Sequence, residues 1–166
     1  MTAQTVVTGL AWMETGVRSV RSALKDMLRD AEREVLLCAY SITSGADEIL
    51  EEFEDCLKRG IKLKVVINRF HKQPQEIQEY FLNLVAIYSH CQVYNFNDAV
   101  EDLHSKVILV DRAVALIGSA NLSRRGIKQN YELGIILHDE EVGTISKCFD
   151  SLLSFSSVSL ITARVD

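Results

Sequence analysis

Short apolar runs and longer amphipathic stretches take turns along this chain. Residues 5–8 form a brief β-rich run, read as a strand. Residues 9–16 read as a loop carrying Trp12 as a packing residue. Over residues 17–33 the apolar positions Val17, Val20, Ala23, Leu24, Met27, Leu28 and Ala31 recur at spacings of three and four, one face of an amphipathic helix. Residues 34–40 are a continuous apolar run, a buried strand, and residues 41–45 form a polar loop at its C-terminal end, where α/β sheets commonly place their sites. A second helix spans 46–59, with Ile49, Leu50, Phe53, Cys56 and Leu57 inward and Gly60 as its stop. A strand at 61–67, a polar loop at 68–74 and a helix over about 74–88 with Pro74 in its first turn follow. Then come a short strand at 91–94 and an acidic loop at 95–102. After residue 121 the pattern predicts a turn at 122–126, a strand at 130–137 and a helix at 139–153 with Val142, Ile145, Phe149 and Leu152 inward. Residues 156–164 read as a final edge strand or an unpaired tail. Helices alternating with strands early and a hairpin late predict an α/β fold, a mixed sheet flanked by helices on both faces. The core covers about residues 5–155 of a single domain, with no internal repeat.

Between 104 and 121 the pattern changes. Two apolar runs, Val107–Val110 and residues 114–117, flank the pair Asp111-Arg112, as in a buried hairpin around a tight polar turn. Polar residues sit at its open end: His104 and Lys106 enter, and Gly118, Ser119 and Asn121 leave. An antiparallel hairpin brings these ends together. A histidine changes charge near neutral pH, a lysine holds positive charge, Ser and Asn offer hydrogen bonds, and Gly permits close backbone approach. Such a cluster suits a phosphate ester. Asp111 lies at the far end, over about 10 Å from Lys106 at strand spacing, and reads as a structural turn residue.

The pattern His-x-Lys-x4-Asp-x6-Gly-Ser-x-Asn, running from His104 to Asn121, resembles the HKD signature of the phospholipase D superfamily. Six fixed positions recur by chance at about 10⁻⁸ per starting point. The resemblance implies a phospholipase D-like domain, a phosphohistidine formed on His104, and phosphate oxygens held by Lys106, Asn121 and Ser119 without a metal or other cofactor. Glu132 is a carboxylate in an otherwise apolar strand and needs a partner. Orienting the imidazole would supply one, as in a catalytic triad, and family members often carry a Glu at about this place. Tyr40 and Ser41 are candidates to line the pocket. Arg124, Arg125 and Lys128 follow the signature directly, either as a solvated turn or as guides for a polyanion. His71, His90 and His138 stand apart from any second ligand at metal spacing and read as surface or core residues.

Displacement at phosphorus through a covalent intermediate needs a nucleophile and a separate general acid. This chain of 166 residues has one such signature. Superfamily enzymes use two, so the resemblance implies a homodimer with one composite site on its two-fold axis.

Composition narrows the substrate only partly. The net charge of −5 counts against a broad charge-driven polyanion binder but leaves room for a local basic cleft. Cys38, Cys56, Cys91 and Cys148 form no Cys-x-x-Cys pair and read as free thiols of a cytoplasmic protein. No apolar run reaches the roughly 18–20 residues of a membrane span, and residues 1–10 show no signal peptide. The leading expectation is a nuclease acting on DNA or RNA, because small one-signature relatives are mostly nucleases. A phospholipid hydrolase or transphosphatidylase is the second; it calls for an apolar rim, and no basic amphipathic helix stands out. The third is a partner-gated or non-catalytic nucleic-acid-binding subunit of a larger bacterial restriction or defence complex.

Overall fold

A computed structural model describes residues 3–138 and 140–162. One eight-stranded mixed sheet runs through the chain. Its strands are β1 (Ala3–Thr8), β2 (Glu34–Ala39), β3 (Lys62–Asn68), β4 (Cys91–Phe96), β5 (Val107–Val110), β6 (Val114–Gly118), β7 (Glu132–His138) and β8 (Val158–Leu160). Their spatial order is β1-β7-β6-β5-β2-β3-β4-β8. β2, β3 and β4 are parallel to one another, and every other pairing is antiparallel. The parallel strand β2 is apolar over residues 35–39, as burial on both faces requires, and β3 carries the buried run Val65, Val66 and Ile67.

The helices are α1 (Leu10–Met13), α2 (Val20–Arg29), α3 (Asp47–Lys58), α4 (Gln75–Ile87) and α5 (Glu140–Leu152). α2, α3 and α4 close a large core on one face, around Leu24, Leu28, Phe53, Leu63, Val65 and Phe81. α5 closes a smaller core on the other, packing Val142, Phe149 and Leu152 against Leu36, Cys38, Val66, Leu109 and Ala115. The sheet with helices on both faces is therefore as expected. Cys38, Cys56 and Cys91 are buried free thiols, and burial pushes Cys38 and Cys91 up to about 12. No helix among the described residues is long and apolar enough to cross a membrane.

Several boundaries differ from the sequence expectation. The loop at 9–16 contains the helical turn α1. The helix expected from residue 17 starts at Val20, because Ser19 caps it: Ser19 is extended (φ −75°, ψ 145°) and its Oγ accepts the Ser22 N–H at 3.0 Å. Its predicted end at 33 is cut back to Arg29. The guanidinium of Arg59 caps the freed carbonyls there, at 2.7 Å from Leu28 O, 2.9 Å from Arg29 O and 3.0 Å from Ala31 O. The loop at 68–74 holds a 3-10 turn, Phe70–Lys72, and the expected turn at 122–126 passes into a π-helical turn, Arg125–Gln129. Within 156–164, the edge strand β8 pairs with β4; residues 163 and 164 lie outside the described residues, as does Asp139 at the expected start of α5.

The hairpin tip shows why Asp111 stands where it does. Asp111 (φ 54°) and Arg112 (φ 55°) both occupy the left-handed region that tight hairpin turns require. The Asp111 carboxylate accepts the backbone N–H groups of Glu32 (2.9 Å), Arg33 (2.7 Å) and Glu34 (2.9 Å). Arg112 binds Asp150 on α5 through two bonds at 2.7 and 2.9 Å and Glu34 at 2.6 Å. Partial burial pushes the Asp111 carboxyl up, but the three amides outweigh it and hold it below its usual range. A depressed carboxylate stabilises the fold above its unfolded pKa, and that contribution is lost as pH falls through the folded value. Asp111→Ala should cost about 2 kcal/mol of stability near neutral pH. It should also flatten the acid limb of the stability curve, measured by denaturant titration from neutral pH to below about 4.

Candidate active site

The open end of the β5–β6 hairpin lies beside the end of β2. β5 pairs with β2 and β6 (Cys38↔Val107, Val107↔Ile117), so Tyr40 and Ser41, just past β2, meet the residues that precede Val107 and follow Gly118. The Gly118 N–H donates to Lys106 O at 3.3 Å, and the Ser119 N–H to Leu133 O at 3.2 Å. Gly118 faces Gly134 across β6 and β7, where an added Cβ would stand 3.1 Å from both Gly134 Cα and Leu133 O. The lack of a side chain therefore lets the two strands close at the site.

His104 is exposed, and its ring leans on Tyr40 with centroids 4.4 Å apart and planes at 58°. Lys106 Nζ is 3.1 Å from His104 Nδ1, 3.3 Å from Nε2 and 2.9 Å from the His104 carbonyl oxygen. It also stands 5.1 Å over the Tyr40 ring. Burial lowers the Lys106 pKa, and the charge of Glu132 works against that shift. An ammonium group, an imidazole and an aromatic face thus share one small opening. Ser41, Lys106, Gly118 and Asn121 line the adjoining cavity.

Glu132 is placed differently from the expectation. Its carboxylate accepts the Ser119 hydroxyl proton and, at 3.2 Å, the Asn130 amide, with no hydrogen bond to the imidazole of its own chain. Ser119 Oγ also accepts the Leu133 N–H at 3.3 Å. Ser119 is thereby held between a strand amide and a carboxylate.

Asn121 Oδ1 is buried and has no partner among the described residues. The carboxamide is thus placed by its backbone, which in turn rests on the π-helical turn. A Cβ on Gly126 would overlap the Asn121 carbonyl oxygen and lie 3.0 Å from its nitrogen. That oxygen already accepts the Ser123 N–H at 2.9 Å. π-helical turns recur at functional sites, and this one seats Asn121. Gly126→Ala should shift Asn121 and lower turnover of a phosphodiester at least about tenfold, since misplacements near 1 Å cost on that scale or more. A steady-state assay beside a thermal unfolding curve would check it.

The basic residues after the signature divide. Arg124 and Arg125 are exposed, and the Arg124 N–H donates to Ser44 O at 3.4 Å in the loop that follows Ser41. Lys128, expected beside them as a polyanion guide, turns instead to α3 and pairs with Glu48 at 2.8 Å. Lys128 and then Arg21 hold the Glu48 carboxyl down to about 2. Of the other histidines, His90 Nε2 lies 3.0 Å from Leu57 O, a structural contact, and His71 packs edge-on to Phe70.

Sequence reasoning missed Asn68, Gln73 and Asn130. Gln73 accepts the Ile42 N–H at 3.1 Å and donates to Tyr40 O at 3.2 Å and Asn68 O at 2.7 Å, tying the loop after β2 to the end of β3. A buried Asn closing an otherwise apolar strand was the available signal. Among the described residues no group of three or more His, Cys, Asp and Glu is placed to hold a metal ion.

With this geometry in place, comparisons fix the family. The family described as "Cardiolipin synthase, PLD-like domain" matches residues 24–153. The chain is similar to the DISARM protein DrmC of Bacillus paralicheniformis, 26% identical over 130 residues, covering 78% of this chain and 54% of that protein. It is similar to cardiolipin synthase A of Buchnera aphidicola, 25% identical over 135 residues, covering 80% of this chain and 27% of that protein. It therefore spans about half of the one relative and about a quarter of the other. In fold it is similar to Nuc, a phospholipase D family member from Salmonella typhimurium, with a TM-score of 0.77, 17% identity, and 97% of this chain and 98% of that chain covered.

Proposed function

Because the chain belongs to the PLD-like domain family of the phospholipase D superfamily, we propose that it is a phosphodiesterase cleaving nucleic acid in a site shared by two copies. The observation that carries this reading is the convergence of His104 and Lys106 with Ser119 and Asn121 at the open end of one hairpin. In the reaction, a nitrogen of His104 attacks phosphorus, the bond from phosphorus to the leaving oxygen breaks, and His104 of the partner subunit gives that oxygen its proton. Water, deprotonated by the same partner histidine, then attacks phosphorus, the bond from phosphorus to the His104 nitrogen breaks, and the free imidazole is restored. Lys106 and Asn121 hold the non-bridging oxygens as charge develops, joined by Ser119 once its hydroxyl turns from Glu132 to the substrate. Lys106 supplies positive charge, so no metal is required of the step.

Two features support pairing. Glu132 makes no bond to its own imidazole, and on this reading it orients His104 of the partner subunit instead. The sheet face covered by α5 also remains open along β7, where Leu133 is 48% and Ile135 40% exposed, immediately after Glu132. A nucleic acid suits Arg124 and Arg125 beside the opening, both exposed and free to meet backbone phosphates. The protein is placed in the cytoplasm on this reading, where its substrate and its free thiols belong. A partner-gated role within a larger assembly is a second reading, favoured by the likeness to DrmC, of which this chain spans 54%.

Labelled single- and double-stranded DNA and RNA incubated with the protein in excess EDTA at low salt test the proposal. Cleavage that depends on His104 is expected. Turnover of phospholipid vesicles without nucleic-acid cleavage would replace the substrate, and inactivity until a partner is added would favour the gated subunit.

A further inference from the structure

His104 stands on a segment without regular structure. No helix or strand covers residues 97–106, between β4 and β5. Within it, Asp98 accepts the Val100 and Glu101 N–H groups at 2.9 and 3.1 Å, and the His104 carbonyl accepts Lys106 Nζ at 2.9 Å. These bonds are local and do not fix the segment against the sheet. The ends of the segment are fixed by the Asn97 N–H on Ser157 O at 2.8 Å and the Gly118 N–H on Lys106 O at 3.3 Å, and the bonds that fix its middle come from one place, the end of β3. Asn68, 4% exposed, accepts the Leu103 N–H on Oδ1 at 2.9 Å and donates from Nδ2 to Asp102 Oδ1 at 3.2 Å. Arg69 Nε donates to the same Asp102 oxygen at 2.7 Å. Among the described residues, the hydrogen bonds tying 98–105 to the rest of the domain are made by these two residues and by Lys106 at its end, whose Nζ reaches His104.

We propose that Asn68, supported by Arg69, is the positioning residue for His104: it clamps the Asp102–Leu103 step and thereby sets where the imidazole stands. The proposal rests on the reading of His104 as the nucleophile. Asn68 itself is held in place, since its carbonyl accepts Gln73 Nε2 at 2.7 Å, and the same Gln73 binds Tyr40 O, so the two walls around His104 share one anchor. Arg69 has a left-handed backbone (φ 45°) and its N–H donates to Phe96 O at 2.7 Å, which turns its side chain toward Asp102. The Arg69 guanidinium and then the Asn68 amide hold the Asp102 carboxyl below its usual range, so it stays an acceptor at neutral pH. A carboxamide meets both demands at once, an acceptor for Leu103 N–H and a donor for Asp102. An Asp at 68 would keep the first and set two carboxylates against each other. The cost of a loosened clamp falls on placement of the nucleophile more than on substrate binding.

The test uses the full chain, with bis(p-nitrophenyl) phosphate as substrate and hydrogen exchange read by mass spectrometry. Asn68→Asp, close in shape to the parent, should exchange across 98–105 at least about tenfold faster with the rest of the sheet unchanged. Its kcat should fall about 10- to 100-fold while KM moves less than about threefold. Asp102→Ala, at an exposed position, should give a smaller change of the same kind. The double variant Asn68→Asp with Asp102→Asn, which restores a donor–acceptor pair between 68 and 102 but gives up the Arg69 bond to the same oxygen, should recover part of the lost kcat. Parental exchange across 98–105 in Asn68→Asp would overturn the proposal. So would parental kcat in a variant whose segment is loosened, or loosening spread over the whole sheet. Absence of His104-dependent turnover in the parent would instead defeat the reading of His104, and the exchange result would still decide whether Asn68 holds the segment.

Discussion

His104→Ala abolishes phosphodiester turnover and leaves the fold intact. The loss should be at least about 10⁴-fold, because the proposed mechanism uses the same side chain as nucleophile in one copy and as proton carrier in the other. His104 lies outside both hydrophobic cores, and its ring is exposed at the end of the sheet. Its contacts are Tyr40 and Lys106, neither of which needs the imidazole to stay in place. Removing an exposed ring of this kind changes stability by about 0.5 kcal/mol or less. The measurement is turnover in EDTA beside a thermal unfolding curve for parent and variant. Retained turnover with a parental unfolding curve would defeat the proposed chemistry outright. Lys106→Ala should follow the same pattern with a smaller loss, since it stabilises charge without forming a bond to phosphorus.

If the proposed site is shared by two copies, Leu133→Lys and Ile135→Lys should give monomers and remove the activity. Both side chains stand on β7, on the face where α5 covers Leu109, Ala115 and Leu137 but leaves the first half of β7 open. Two bulky apolar side chains at 48% and 40% exposure beside Glu132 are poor solvent-facing residues and good contacts for a second copy. A lysine there carries a charge into any paired face and costs several kcal/mol of association, while in the single chain its ammonium can reach water past the half-covered stem. Sedimentation velocity should show monomers of parental stability. Turnover should drop at least about 10²-fold, the usual worth of a general acid. A monomeric variant with parental turnover would show that one chain completes the site.

Much of this architecture was legible because it is local. The hairpin shows in two β-rich runs about Asp111-Arg112, and the site residues show in one fixed spacing from His104 to Asn121. The local pattern misplaces the start of α2: the apolar period extends back to Val17 and draws the boundary with it, whereas the Ser19 cap starts the helix at Val20. What could not be seen depends on contacts between distant parts of the chain. Lys128 pairs with Glu48, 80 positions away, and so leaves the basic group that its neighbours Arg124 and Arg125 suggested. Glu132 has a suitable position for an imidazole partner, but Ser119 reaches its carboxylate first, across the β6–β7 pairing. The π-helical turn at Arg125–Gln129 has no periodic signature in five residues, and its purpose is visible only from the fit of Gly126 against Asn121. Asn68 shows only that a strand ends; its grip on Leu103 spans 35 positions.

The central claim is a site that needs His104 from both copies, and subunit mixing tests it most directly. Parent and His104→Ala chains are unfolded together, refolded at varied ratios and assayed for turnover. If each dimer holds one composite site, only all-parent dimers work, and an equal mixture retains about a quarter of the parental activity, falling with the square of the parental fraction. An activity that falls in direct proportion, with about half retained in an equal mixture, would mean that each chain acts alone and would contradict the shared site.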